Sequence, residues 1–242
     1  MRPAEFAARA HGLRSMNFKF RIVCATRETI DGFHANTALG RSLSLYESLY
    51  ELRLFPSNTT GLPLAYNTAI RESVTDPAIL IFVHDDVHLL DFYWPTRIYQ
   101  GLAKFDILGL AGNRRRVDRQ PAWRYVDDKF TPDSRDNLSG VVAHGRNWPA
   151  DQIAAYGPPG HEVKLLDGVM LAAHSTTLIG KNLLFDEAFD FHFYDLDICR
   201  TAEQRGLRMG TWGISIMHES NGAFDTPTWR QGYERYLAKW KS

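Results

Sequence analysis

The chain has 242 residues, 44% of them hydrophobic and 23% charged, and its 28 Lys and Arg are balanced by 28 Asp and Glu. A chain of this length and ordinary composition buries a substantial core without staples, which excludes intrinsic disorder. Zero net charge supplies no field for holding a polyanion, so a nucleic-acid partner is not expected, and no apolar run approaches the roughly 18 residues of a membrane span.

Residues 1–17 carry Arg2, Arg9 and Arg14 but no apolar run, so they read as an N-terminal tail rather than a secretory signal. One domain is expected over 18–242. Phe18 to Ala25 has the β-branched and aromatic content of a first strand, followed by polar Thr26, Arg27 and Glu28. Leu39, Leu43, Tyr46 and Leu49 fall at helical spacing within 35–50. A short strand is expected at 51–55, stopped by Pro56. A helix follows at 62–74, with Pro63 in its first turn.

Ala78 to Val83 is a continuous apolar run, the mark of a strand covered on both faces. A helix at 91–103 and a second buried strand at 105–111 follow. From Gly112 to Gly160 periodicity fades, and a long loop inside a domain is usually functional. Strand-like pattern returns at 163–173 and 207–217. Helices are expected at 195–205, ended by Gly206, and at 228–240. Strands alternating with helices predict an α/β fold with a mainly parallel central sheet flanked by helices. Ligands in such sheets bind beyond the carboxyl ends of the strands. The two cysteines, Cys24 and Cys199, read as buried thiols compatible with a reducing compartment, hence a cytoplasmic location, with peripheral membrane attachment left open.

Three constellations carry chemistry. His84, Asp85 and Asp86 directly follow the apolar strand. Adjacent carboxylates repel unless a cation or hydrogen-bond donors compensate, and hard divalent cations take carboxylate oxygens while bridging diphosphates. A plain turn or helix cap built from Asp is the alternative. Asp190, His192, Asp195 and Asp197 cluster among aromatic residues, a setting that suits a carboxylate base. Asp195 and Asp197 are the candidate catalytic pair, with a helix cap as the alternative for one of them. His218 ends a strand-like run and is the third candidate metal ligand, beside His84 and Asp86. Asn67 and Arg71 lie one helical turn apart and are candidates to face a bound donor. Arg114, Arg115 and Arg116 could meet an anion. Trp123, Tyr125 and Trp148 could stack on a sugar or form a small core under the loop.

In this order the pieces resemble the GT-A glycosyltransferases, family-2-like members in particular, and a prokaryotic branch similar to the StrF-type domain of streptomycin biosynthesis. The resemblance lies in GLPLAYNTAIRESVTDPAILIFVHDDV (61–87), LDGVMLAAHSTTL (166–178), FDEAFDFHFYDLDICRTAEQRG (185–206) and IMHES (216–220). The family's Asp-x-Asp metal motif reads His84-Asp85-Asp86 here, and Tyr194 replaces the Glu of its Glu-Asp motif. The resemblance implies a single nucleotide-diphospho-sugar-transferase-like, Rossmann-like domain. It also implies Mg²⁺ or Mn²⁺ held by Asp86 with His218 and His84. Thr26, Arg27, Glu28, Asp85, Asp86 and Asp167 would lie along the donor, and Asp195 would be the base. The implied reaction moves a sugar from a nucleotide-diphosphate donor to a hydroxyl on a glycan, lipid-linked or small-molecule acceptor, with inversion, in making cell-surface polysaccharide or another glycan. Two rivals remain: a metal-dependent hydrolase, and a degenerate protein that only binds nucleotide-sugars or glycans.

Overall fold

The computed structural model describes residues 19–46, 48–220 and 222–241, so the expected tail lies outside the described residues. The apolar runs read from the sequence form strands: β1 (Phe20–Ala25), β2 (Glu51–Phe55), β3 (Ile79–Val83), β4 (Val87–Leu89), β5 (Ile107–Gly109) and β6 (Ala111–Asn113). They continue as β7 (Leu138–His144), β8 (Gln152–Gly157), β9 (Glu162–Val163), β10 (Leu165–Leu166), β11 (Met170–His174), β12 (Met209–Thr211) and β13 (Ile216–His218). Helices are α1 (Ile30–Asn36), α2 (Ala38–Leu43), α3 (Leu62–Glu72), α4 (Trp94–Leu102), α5 (Ser175–Gly180), α6 (Tyr194–Gln204) and α7 (Pro227–Trp240).

The single helix expected at 35–50 is instead a break between two short ones. The Thr29 hydroxyl accepts from Gly32 N and caps α1, while the Thr37 hydroxyl accepts from Gly40 N and caps α2. Each cap satisfies an otherwise orphaned N–H, so Thr37 stops one helix and starts the next. Gly40 is needed at that corner, because a Cβ there would lie 2.0 Å from the Phe33 carbonyl oxygen.

Two mixed sheets replace the expected mainly parallel one. The first runs β2-β1-β3-β11-β5-β12-β9 and the second β10-β6-β7-β13-β4, with β8 paired to β7. Within the first sheet β2, β1 and β3 are parallel, but β11 enters antiparallel between β3 and β5, pairing Met170 with Val83 and His174 with Ile79. A strand buried on both faces reads as a plain apolar run whichever way it points, so composition could not reveal β11's direction. The segment 112–160, read as irregular, contains the β7–β8 hairpin of the second sheet.

The chain crosses between the sheets repeatedly: among these crossings, His84–Asp86 joins β3 to β4, Leu110 joins β5 to β6, Lys164 joins β9 to β10, Asp167–Val169 joins β10 to β11, and residues 212–215 join β12 to β13. Two of the motifs singled out in the sequence are therefore seams between layers. One apolar cluster runs beneath both sheets. Its aromatic centre is Tyr66, Phe82, Phe185 and Tyr194, with Tyr66 and Phe82 centroids 4.9 Å apart.

Candidate functional site

β3 is buried along its whole length and delivers His84, Asp85 and Asp86 to the seam. Backbone bonds pin this turn: His84 N donates to Val169 O, Leu39 N to Asp85 O and Glu219 N to Asp86 O. The Thr26 hydroxyl, at the end of β1, donates to Asp85 Oδ2 at 2.6 Å. β13 ends at His218, whose Nε2 lies 3.2 Å from Asp86 Oδ1. One nitrogen from each of His84 and His218 and one oxygen of Asp86 lie within 4.8 Å of one another.

This group fits a divalent cation. Asp86 Oδ1 is buried without a hydrogen-bond partner. A buried carboxylate oxygen with only His218 beside it is short of partners, and adjacent ligand atoms about 3 Å apart are what bonds of about 2.1 Å to one ion require. Burial opposes the charged form of Asp86, but neighbouring His218 and then His84 outweigh it and hold its pKa at about 2. Burial lowers His84, which keeps that imidazole neutral and able to ligate. Burial also acts to lower His218, yet Asp86 prevails and raises it.

Tyr194 sets the proton on His84. Its hydroxyl donates its one proton to Gly168 O at 2.9 Å, so its contact with His84 Nε2 at 2.8 Å must be donated by the imidazole. Nε2 then carries the hydrogen and Nδ1 keeps its lone pair, the orienting contact that metal-bound histidines commonly have. His84 and Tyr194 thus touch each other.

From Gly168 the contacts continue to the expected base. Gly168 N donates to Asp195 Oδ2 at 3.1 Å, and Leu196 N to Asp195 Oδ1 at 2.9 Å. Asp195 is only partly exposed and its carboxyl group is enclosed. Burial, then the charge of Asp167, pushes it up to about 7. Asp167 itself accepts from Trp123 Nε1 at 2.7 Å and from Val169 N. Only glycine fits at 168, where a Cβ would stand 2.4 Å from the Tyr194 hydroxyl and 2.9 Å from Asp195 Cβ.

Two cavities flank this line. A wide cleft of about 1260 Å³ is lined by Thr26, Arg27, Glu28, Asp85 and Asp86, with Ser57 to Thr60 opposite. A smaller pocket of about 300 Å³ is lined by His84, His218, Asp167 and Asp195 among Trp123, Tyr156 and Phe224. Phe191 borders both. Thr26, Arg27, Glu28, His84, Asp85, Asp86, Asp167, Asp195 and His218 are therefore gathered along one seam.

Other expected residues lie elsewhere. Asp197 is turned away from the pocket and held by Lys239 Nζ at 2.6 Å and Trp240 Nε1 at 2.9 Å, so it fastens α7 to α6. Two residues along a helix are about 200° apart, so Asp195 and Asp197 cannot share a face. Asn67 is buried and ties α3 to the 185–187 turn, donating to Phe185 O and Glu187 and accepting from Phe185 N. Arg71 pairs with Glu187 at 3.1 Å. Neither lines the cleft as expected. Arg115 is bidentate with Asp133, Arg116 pairs with Glu203, and Arg114 reaches Asp136 O. Tyr125 packs with Phe130 and Phe224, and Trp148 is exposed.

The sequence reading missed His144, Arg124 and Tyr156, all lining the smaller pocket. His144 ends β7 in register with His218 on parallel β13, with ring centroids 5.8 Å apart. The strand-end rule that singled out His218 would have found it had Leu138 to His144 been read as a strand.

No family model matches the sequence, and no curated protein matches it. Among solved structures, this chain is similar to A197 from STIV at 9% identity, over 86% of this chain and 98% of that one, with a TM-score of 0.46. It is also similar to GalNAc-T7, solved with UDP, GalNAc and Mn²⁺, at 10% identity over 93% of this chain and 48% of that one, with a TM-score of 0.49. Likenesses this distant leave the functional reading to the site itself.

Proposed function

We propose that this chain is a metal-assisted glycosyltransferase of the GT-A type, moving a sugar from a nucleotide-diphosphate donor to a hydroxyl acceptor. One observation carries the reading: a cation-ready His84, Asp86 and His218 group lies between a wide cleft and a pocket holding a carboxylate with a pKa of about 7. A transferase needs that arrangement, because leaving-group charge and acceptor proton must be handled on opposite sides of one reacting carbon.

In this reading His84, Asp86 and His218 hold Mn²⁺ or Mg²⁺, and two imidazoles among the ligands favour Mn²⁺. When bound, the cation supplies Lewis-acid stabilisation of the departing diphosphate. The nucleotide lies along Thr26, Arg27 and Glu28, and Asp85 is oriented by Thr26. Asp195 accepts the acceptor proton as the new oxygen–carbon bond forms and the diphosphate–carbon bond breaks, and its raised pKa suits a base near neutrality. A single in-line displacement inverts the anomeric centre. Asp167 holds the Trp123 indole against the pocket wall.

Calorimetry with UDP, GDP, dTDP and CDP, each with and without Mn²⁺, tests the donor half. The expected result is Mn²⁺-dependent binding of one of them, followed by transfer to a hydroxyl acceptor with inversion seen by NMR. Two histidines with one carboxylate also suit a hydrolytic ion. Phosphoester cleavage with no acceptor would establish that reading instead, and cation-dependent binding without turnover on any donor would mark a binding protein.

A further inference from the structure

The arginines of the long segment between β6 and β7 are not equivalent. Arg115 and Arg116 are neutralised by Asp133 and Glu203. Arg124 is different. Its guanidinium lies 4.5 Å over the Tyr125 ring and donates to the hydroxyls of Tyr125 and Tyr156, which are neutral acceptors. Among the described residues no carboxylate is in ion-pair contact with it, although it is half-buried. A guanidinium withdrawn from water against phenols and without a counter-charge is left able to receive an oxyanion in its planar fork.

Its position says what that anion belongs to. Arg124 is the one arginine or lysine along the described walls of the smaller pocket. Tyr156, which it contacts, packs edge-on against Trp123 at 4.7 Å, and Trp123 donates to Asp167. Contacts through Tyr156 and Trp123 therefore link the guanidinium to Asp167 at the carboxylate end of the pocket. The carboxylates there have their own donors: Asp167 has Trp123 and Val169 N, and Asp195 has Gly168 N and Leu196 N. His144 lines the same pocket, with Nδ1 facing Ser220 O at 3.2 Å, which leaves Nε2 for another partner.

We infer that Arg124, with Tyr156 and His144, forms an oxyanion subsite in the smaller pocket, so that the acceptor carries a phosphate or carboxylate beside the hydroxyl that reacts. The inference rests on the proposed transferase reading for the word acceptor, but the subsite itself does not. The pocket volume of about 300 Å³ is at the small end of ligand cavities and suits one anionic ring better than a long glycan.

The test uses the full chain with EDTA present, so that no cation at the His84 group binds the probe. Inorganic phosphate and acetate are titrated calorimetrically into wild type, Arg124→Met and Arg124→Lys. Arg124→Met keeps a flexible stem over Tyr125, and Arg124→Lys keeps the charge, so a fold defect in one leaves the other informative. Phosphate or acetate is expected to bind wild type, about tenfold or more weaker to Arg124→Met, with Arg124→Lys between. The tighter probe identifies the acceptor's anion. Absence of binding to wild type by both probes, or equal binding by folded Arg124→Met, overturns the subsite. A parallel titration of nucleotide diphosphates with Mn²⁺ separates the two readings: its failure with phosphate binding intact removes the transferase and leaves the subsite standing.

Discussion

The two cavities that share Phe191 are built by different means. The wide cleft sits over the carboxyl ends of the parallel strands β1, β2 and β3, and its walls combine short hydroxyl and amide side chains with carboxylates such as Glu28, Asp85, Asp190 and Glu219. The smaller pocket is walled by rings from the 112–160 segment, the 191–194 turn and α7, and its carboxylates come from the β10–β11 connection (Asp167) and the first turn of α6 (Asp195). A wide, open cleft edged by carboxylates suits a charged ligand that arrives with its counter-cation. An aromatic enclosure raises carboxylate pKa values and suits proton transfer. The comparison separates binding from chemistry, and single substitutions can break it.

The largest effect is expected on the enclosed side. Asp195→Asn should keep cation-dependent nucleotide binding while transfer falls by about 10²–10⁴-fold, as measured by single-turnover assays. Asp86→Ala should act on the other side. It removes the buried carboxylate whose Oδ1 faces His218 Nε2 at 3.2 Å, and Mn²⁺-dependent nucleotide affinity should fall by about 100-fold in calorimetry. Full transfer by Asp195→Asn, or unchanged Mn²⁺ dependence in Asp86→Ala, would undo the division of labour.

The pH dependence of stability offers a third test. Asp195 ionises near 3.8 when unconstrained and at about 7 in the fold. Between those values the unfolded chain has released a proton that the folded chain retains, so the favourable contribution present below the lower value is lost as pH rises through the upper one. Measured by urea unfolding without divalent cations, Asp195→Asn should gain stability relative to wild type by up to about 4 kcal/mol between about pH 4 and about pH 8. A difference that does not change with pH would show that the carboxyl group is not held in its neutral form.

Tyr194→Phe tests the link between the cavities. Without the hydroxyl, His84 loses the partner that fixes its tautomer, and Mn²⁺ affinity should weaken by about tenfold in direct binding, whatever happens to transfer. The smallest effect on the site is expected for Asp197→Asn, which loosens α7 through Lys239 yet should leave Mn²⁺ and nucleotide binding within about twofold. Substantial loss of binding there would mean that the α7 anchor reaches the site.

The legibility of the two cavities in the sequence differs for physical reasons. β3 is an apolar run interrupted abruptly by His84, and α6 is ended by Gly206 at a φ of 71°, so both elements and their polar ends were readable. The aromatic pocket was not. His144 and Tyr156 converge through pairings of β7 with β13 and β8, and Arg124 joins them from the loop before β7 through its contact with Tyr156, contacts between residues far apart in the chain. Gly140 and Gly145, both at positive φ, and a bulge after Gly140 disguise β7 and β8 as loop. Asp197 is a different case, because helix geometry alone separates it from Asp195. Among the described residues no helix is long and apolar enough to cross a membrane.

Local pattern determined where strands end and which polar groups stand there, because a buried run followed by His84-Asp85-Asp86, or one ending in His218, is written in adjacent residues. Tertiary structure decided what those groups meet. The antiparallel entry of β11, the seam at Asp167–Gly168 and the Tyr194 contact with His84 depend on which sheet each strand joins, and strand pairing is a choice among distant segments of similar apolarity.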